Sequence, residues 1–363
     1  MKKEYFLLGL LLYAISVFYL AMTTPISPHE AKILYTSQDL IGTLMRWGES
    51  LVSGVIGLRL FFLISGFITV WLFYELSYRY FSEERDAFLS TFIFMFLPGI
   101  LTATTLVNVA IIVLPLVLLF VLFYEKGYFK ILSLIMLILF FIHEASIIFF
   151  VAVLLYALAN KDKKLMITAF TFLLAFIYLA KGIEIGGRPS GHFAEVFGLY
   201  ATVFSPLLFL YFFYTMYRIL LREKKTLLWY ISFTALAFSL LLSIRQRVYI
   251  TDFAPYVLIS IVLMLDIFNH SIRVRLPEFK KYYRWGFNAI IIFLFLSVLV
   301  IVFHKTLFFI SNNQNKHFAH RIYNPYLLAK SLKEQGFTCN EHIKGKESYQ
   351  LQYYALPPCS KKK

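Results

Sequence analysis

The feature that most limits this chain is a regular alternation of apolar runs with short loops bearing lysine and arginine. Runs near 6–22, 53–77, 87–104, 109–124, 165–180, 198–217, 226–244, 253–269 and 287–303 read as membrane-crossing helices, for which about 20 residues suffice. Lys2 and Lys3, then Arg79 and Arg85, Lys126 and Lys130, Lys161 to Lys164, Arg218 to Lys225 and Arg273 to Arg284 mark every second loop. Loops of this kind stay in the cytoplasm. The block 131–159 has basic residues at both ends, which one helix cannot satisfy. It is therefore read as two short helices meeting at His143-Glu144-Ala145-Ser146. The expected architecture is an all-α polytopic membrane protein with about eleven transmembrane helices. Its N-terminus is cytoplasmic and its C-terminus extracytoplasmic.

Composition excludes the soluble classes. Of 363 residues, 60% are hydrophobic, and the mean hydropathy is +0.72. The 40 Phe and 25 Tyr suit lipid-facing surfaces and interfacial belts. A net charge of +15 would suit nucleic acid, but the cations sit in loops between apolar spans. They report topology, and no nucleic-acid partner is expected. Residues 1–303 form the expected transmembrane domain, and 304–363 a small extracytoplasmic segment. In that segment 326–334 has helical spacing ended by Gly336, and 349–355 alternates like a strand. Cys339 and Cys359 either pair, as an oxidising compartment allows, or lie in a disordered tail.

Between the first two spans, residues 23–50 are more than a polar loop. Apolar positions (Ile33, Leu34, Leu40, Ile41, Leu44) recur among polar ones, as in short amphipathic helices lying in the membrane interface. The stretch also carries Pro28-His29-Glu30-Ala31.

Ionisable residues at span ends are costly and mark function. The topology sends four such groups to the outer face. His29 and Glu30 read as a general base for an acceptor hydroxyl, or as a helix cap, since an acidic residue favours a helix start. Asn108 sits in a tight outer turn. His143 and Glu144 tip the helical hairpin, where a carboxylate must be paired, hydrated or protonated. It would serve an acceptor sugar, a metal or a basic partner such as Lys181. Arg245 and Arg247, with Tyr249, follow a span directly. Their guanidinium groups suit bidentate contacts with phosphate, or snorkel from the interface. His29, Glu30, His143 and Glu144 together would also suit a divalent ion, Zn²⁺ or Mn²⁺, although neither His29 nor His143 belongs to an HxxH or HxxxH spacing.

These residues resemble the glycosyltransferase-C superfamily. The likeness is to bacterial members related to protein O-mannosyltransferases and lipid A aminoarabinose transferases, and it covers roughly 1–270. It rests on Ser27-Pro28-His29-Glu30-Ala31-Lys32 in the first outer loop, Gly57-Leu58-Arg59-Leu60, Leu97-Pro98-Gly99, the His143-Glu144 hairpin, and Arg245-Gln246-Arg247-Val248-Tyr249 through Pro255. Two departures stand out. His29 replaces the usual first Asp, and Asn108 stands where a carboxylate often occurs. The resemblance implies a plasma (inner) membrane enzyme with an extracytoplasmic site. Its donor is a polyprenyl-phosphate sugar, and its acceptor a glycan, lipid or protein hydroxyl. Arg245, Arg247 and Tyr249 hold the donor phosphate, and Glu30 with His29 activates the acceptor. Arg46, Arg59 and Arg188 are secondary substrate contacts. A polymerase or ligase of lipid-linked sugars and a transporter or flippase are the alternatives. The absence of two related halves counts against transport.

Overall fold

A computed structural model describes residues 3–179, 191–310, 317–340, 343 and 345–359. The chain opens with α1 (Lys3–Thr23), α2 (Pro28–Thr36), α3 (Leu40–Leu51) and α4 (Val55–Tyr80). Next come α5 (Glu84–Met95) and α6 (Pro98–Thr105), bent by 59° where Pro98 breaks the run; proline clashes with a preceding helical turn and restricts the residue before it. There follow α7 (Ala110–Glu125), α8 (Phe129–Ile142), α9 (Ser146–Asn160) and α10 (Lys163–Tyr178). The block 131–159 is thus two helices that part at His143-Glu144-Ala145, as the charge pattern requires.

The span expected at 198–217 is not straight. It is α11 (Phe193–Phe204) and α12 (Pro206–Arg222), bent by 107°. Ser205 at the bend has φ +88°, a left-handed conformation that costs a non-glycine residue energy. Then come α13 (Leu227–Ser243), α14 (Ile250–Val257), a 3₁₀ turn Leu258–Ser260, α15 (Ile261–Val274) and α16 (Pro277–Val302). The chain continues through α17 (His304–Ile310), α18 (His320–Glu334) and α19 (Lys346–Tyr353).

Among the described residues four helices are long and apolar enough to cross a membrane, or up to six if each bent pair is one span. Shorter apolar helices, α7, α8, α9 and α13, accompany them. The protein is therefore all-helical and of multi-pass membrane type. The only regular pairing of strands among the described residues is an isolated bridge, Asn340 with Pro358.

Contacts divide the chain into two units. The first comprises 1–13, 65–103 and 108–298. At its centre α7 is apolar all round, with Ile111, Val113, Val117, Leu118 and Phe120 fully buried, the pattern of a helix enclosed by others. It packs on α8 and α14, while α9 packs on α10 and α13. Small hydroxyls tie these helices together. Ser232 Oγ donates to Tyr256 O at 2.9 Å, and the Tyr200 hydroxyl meets Ser239 Oγ at 2.8 Å. Such bonds substitute for the hydrophobic force that lipid does not supply between apolar helices.

In the second unit 299–363 groups with 14–64 and 104–107. Here α19 packs on α2 and on α18, with Tyr35 stacked on Tyr349 at 6.4 Å. Gln350 is buried and its Nε2 donates to Ile322 O at 2.9 Å. The strand expected at 349–355 is a helix instead. Gln350 and Leu351 are adjacent and both buried, which a strand with alternating faces does not allow. The helix expected at 326–334 is present and starts earlier, at His320; Gly336 at φ +82° follows its end, as helix stops favour. Cys339 and Cys359 are joined by a disulfide. Between α3 and α4 the backbone turns so tightly that a Cβ on Gly57 would lie 1.6 Å from Val52 O, and one on Gly48 would lie 2.1 Å from Gly57 O.

Candidate functional site

In the second unit the first loop is built around Glu30. Ser27 caps α2: its side chain accepts from Glu30 N, Pro28 occupies the first turn, and the Glu30 carboxylate accepts from Ser27 N at 2.7 Å. This is a capping box. The same carboxylate reaches further. Oε1 accepts from Arg59 Nε at 2.9 Å and Val107 N at 3.0 Å, and Oε2 accepts from Arg59 Nη2 at 2.9 Å. Glu30 is 2% exposed and Arg59 is 0% exposed. Arg59 also donates to Ala21 O (3.0 Å), Thr24 O (2.9 Å) and Pro25 O (3.1 Å). A guanidinium has five N–H donors, and Arg59 makes five bonds. Burial alone would raise the Glu30 pKa. The Arg59 charge and the hydrogen bonds from Arg59, Ser27 and Val107 outweigh it and hold the carboxyl below the usual range.

This geometry gives Glu30 and Arg59 the chemistry of a brace. Four donors occupy the carboxylate, and a pKa lowered this way makes a poor proton acceptor. Arg59, expected on a substrate path, has no N–H left for a ligand. Arg46 is a brace as well: its Nη1 donates to Ser37 O (2.8 Å) and Leu34 O (3.3 Å), closing the end of α2. His29 differs from all three. It is exposed on the surface of α2, yet partial desolvation and the Lys346 ammonium hold its pKa below the ordinary histidine value, against the opposing pull of Glu30. Its imidazole is neutral at pH 7 and suited to accept a proton.

In the first unit a cavity of about 440 Å³ opens where α6, α7, α11 and α14 approach one another. Its walls are largely apolar, with Ile111, Leu114, Leu199 and Val203 among them, and its polar edge carries Asn108, Glu195, Arg247 and Tyr249. Asn108 is held by its own helix, because its Oδ1 accepts from Ala110 N at 2.9 Å. Arg247 is 74% exposed and meets Glu195 Oε2 at 3.3 Å through Nε; His192 Nδ1 lies 2.9 Å from the same oxygen. Arg245 is not among the lining residues. Arg247 thus sets an exposed cation beside the apolar walls of this cavity.

The hairpin residues separate. His143 Nε2 lies 3.4 Å from Asp252 Oδ1, without hydrogen-bond geometry, while Glu144 is exposed at the turn. Among the described residues no group of three or more His, Cys, Asp or Glu side chains is placed to hold a metal ion. The expected set of His29, Glu30, His143 and Glu144 is thus not assembled, and Glu30 has already committed its oxygens to protein donors. Arg188 and Lys181 lie outside the described residues. Sequence reasoning missed Glu195 and His192. The available signal was that Glu195 is the one acidic residue between Glu184 and Glu223, at the entry to an apolar run, where a charge needs a reason.

No protein-family model matches the chain, and no curated protein matches it by sequence. Solved structures do match in fold, and two of them are of one protein. One is ArnT from Cupriavidus metallidurans in the apo state, with a TM-score of 0.61 at 12% identity over 98% of this chain and 85% of that one. The other is the same protein bound to undecaprenyl phosphate, with a TM-score of 0.61 at 11% identity over 100% of this chain and 87% of that one. The chain has the fold of these structures. At such identity the likeness is one of fold, and function must come from the site. In this chain the first loop and the Arg247 cavity are the places with chemistry to offer.

Proposed function

We propose that this chain is an integral-membrane glycosyltransferase of about eleven spans, with its site on the extracytoplasmic face of the plasma (inner) membrane. It transfers a sugar from a polyprenyl-phosphate donor to a hydroxyl of a glycan, lipid or protein, inverting the anomeric carbon. The reading draws its main support from the fold likeness, over the whole chain, to a protein bound to undecaprenyl phosphate. On the donor side, Arg247 and Tyr249 hold the phosphate, and the apolar walls of their cavity take the first part of the lipid. Arg247 then exchanges part of its contact with Glu195 for the phosphate oxygens, and Arg245 adds charge nearby. On the acceptor side, His29 takes the proton that Glu30, bound to Arg59, is not placed to accept. The acceptor oxygen bonds to the anomeric carbon as the bond from that carbon to the phosphate oxygen breaks. The hydroxyl proton passes to His29, and polyprenyl phosphate departs with its charge balanced by Arg247. Asn108 and His143 remain substrate contacts in this reading.

The test is sugar transfer in membranes expressing the chain, supplied with a mixed pool of radiolabelled polyprenyl-phosphate sugars. Label leaves one donor with the wild type. Arg247→Ala lowers the rate by roughly 10²-fold or more, and His29→Ala by a similar factor. No transfer from any donor sinks the transferase; undiminished transfer by His29→Ala sinks the base.

A further inference from the structure

Helices α7 and α13, which Asn108 and Arg247 adjoin, carry a second feature at their other ends. Asn108 precedes α7 and Arg247 follows α13. At the opposite ends Glu125 closes α7, Asn160 closes α9, and Lys224 and Lys225 lead into α13. These four residues, with Tyr124 and Tyr156, give the polar lining of a cavity of about 340 Å³ that Val121, Leu227 and Leu228 also border. Next to it an apolar groove of about 340 Å³ runs between α9 and α13, lined by Leu155, Trp229, Phe233, Ala237, Phe238 and Leu241.

The two spaces lie on one stripe of α13. Thr226 lines the polar cavity, while Tyr230, Phe233, Ala237 and Leu241 line the groove, and spacings of three and four residues put all five on one helix face. Aromatic rings mark the junction. Tyr156 meets Tyr230 at 5.6 Å and Tyr124 at 5.6 Å, and the Lys225 ammonium lies 5.7 Å from the Trp229 ring. Tyrosine, tryptophan and lysine at one level are what an interface between headgroups and hydrocarbon selects. From Tyr230 to Leu241 the groove runs roughly 17 Å at 1.5 Å per residue, close to the ~15 Å of one leaflet's hydrocarbon.

We propose that this cavity and groove form a binding site for an anionic glycerophospholipid of the inner leaflet. The phosphate lies against Lys224 and Lys225 at the start of α13, and one acyl chain fills the groove. Glu125 also lines the polar end; the two lysines leave the cavity net positive. Glu125 then accepts a bond from a headgroup hydroxyl. The groove's length fits an acyl chain confined to one leaflet better than a long polyprenyl tail. The site is independent of the proposed transfer reaction, since no residue in it was given a part there.

The test is native mass spectrometry and thermal melting of the full chain, delipidated in detergent and then supplied with phosphatidylglycerol, phosphatidylethanolamine or phosphatidylcholine. Phosphatidylglycerol is expected to stay bound and raise the melting midpoint, and the other two to do neither at the same concentration. The double variant Lys224→Gln/Lys225→Gln binds it roughly 30-fold more weakly, at about a tenfold factor per 1.4 kcal/mol and about 1 kcal/mol for each lysine. Ala237→Phe, which fills the groove, weakens it while leaving the lysines in place. Lys280→Gln/Lys281→Gln, on the exposed start of α16, leaves binding unchanged. Equal retention of all three lipids overturns the proposal, as does unaltered binding by the Lys224/Lys225 variant. Displacement by undecaprenyl phosphate at lower concentration than phosphatidylglycerol itself requires overturns the choice of occupant.

Discussion

Removing Glu30 should damage the protein more than the loss of one acid group suggests. Glu30→Ala leaves the Arg59 guanidinium, 0% exposed, without its counter-ion, and strips the acceptor from Ser27 N and Val107 N. Breaking a buried ion pair from one side costs about 3–5 kcal/mol, and orphaned buried amides add to that. Arg59→Ala should cost a similar amount, because it leaves the carboxylate buried and the carbonyls of Ala21, Thr24 and Pro25 without donors. The double variant Glu30→Ala/Arg59→Ala should then cost less than the sum, with a coupling of about 2–3 kcal/mol, since neither charge is left alone. The assay is a double-mutant cycle on denaturant unfolding in detergent. A pH series gives an independent check. The folded pKa of Glu30 lies below the ordinary 4.5, so its contribution is complete above pH 4.5 and is lost as pH falls through the folded value. Singles that each cost under about 1 kcal/mol, or costs that simply add, would refute the brace.

Two further outcomes follow from the same coordinates. Gly57→Ala should lower folded yield sharply, because its Cβ would meet Val52 O at 1.6 Å, whereas Gly198→Ala, with nothing within 4 Å, should be neutral or stabilise α11 by up to about 1 kcal/mol; thermal melting of both variants checks this. If His29 is the base, the acid limb of kcat/KM lies below pH 6.5, because desolvation and Lys346 lower its pKa while Glu30 opposes them. Lys346→Ala should move that limb upward, with Lys32 still holding it down in part; an unmoved limb in the pH profile counts against His29.

Much of the fold could be read from charge and spacing. Lysines at both ends of 131–159 required a break, and α8 and α9 part where it was placed. Ser27-Pro28-His29-Glu30 carries both the capping pattern and the reading as a catalytic pair, and local sequence offers no way to choose. The deciding partner, Arg59, lies 29 positions away, a distance no helical or strand period covers. The bend at Ser205 was signalled by Pro206, but the surrounding hydropathy continues unbroken, so one span was read where two helices meet at 107°. The alternation of Tyr349, Leu351 and Tyr353 suggested a strand. A helix won because α2 and α18 supply apolar surface to adjacent residues, and tertiary contact outweighs a weak local period.

The packing of α19 on α2 carries a consequence for synthesis. The helix bearing His29 leaves the ribosome early, while the helix it rests on emerges roughly 300 residues later, some 15–60 s at ordinary rates of translation. During that interval α2 has its cap and, once α4 is made, its arginine, but not its floor. The second unit closes only when the last tens of residues have been made and the Cys339–Cys359 bridge has formed. A chain interrupted before Lys346 would therefore carry every expected catalytic side chain and still present the first loop half-supported.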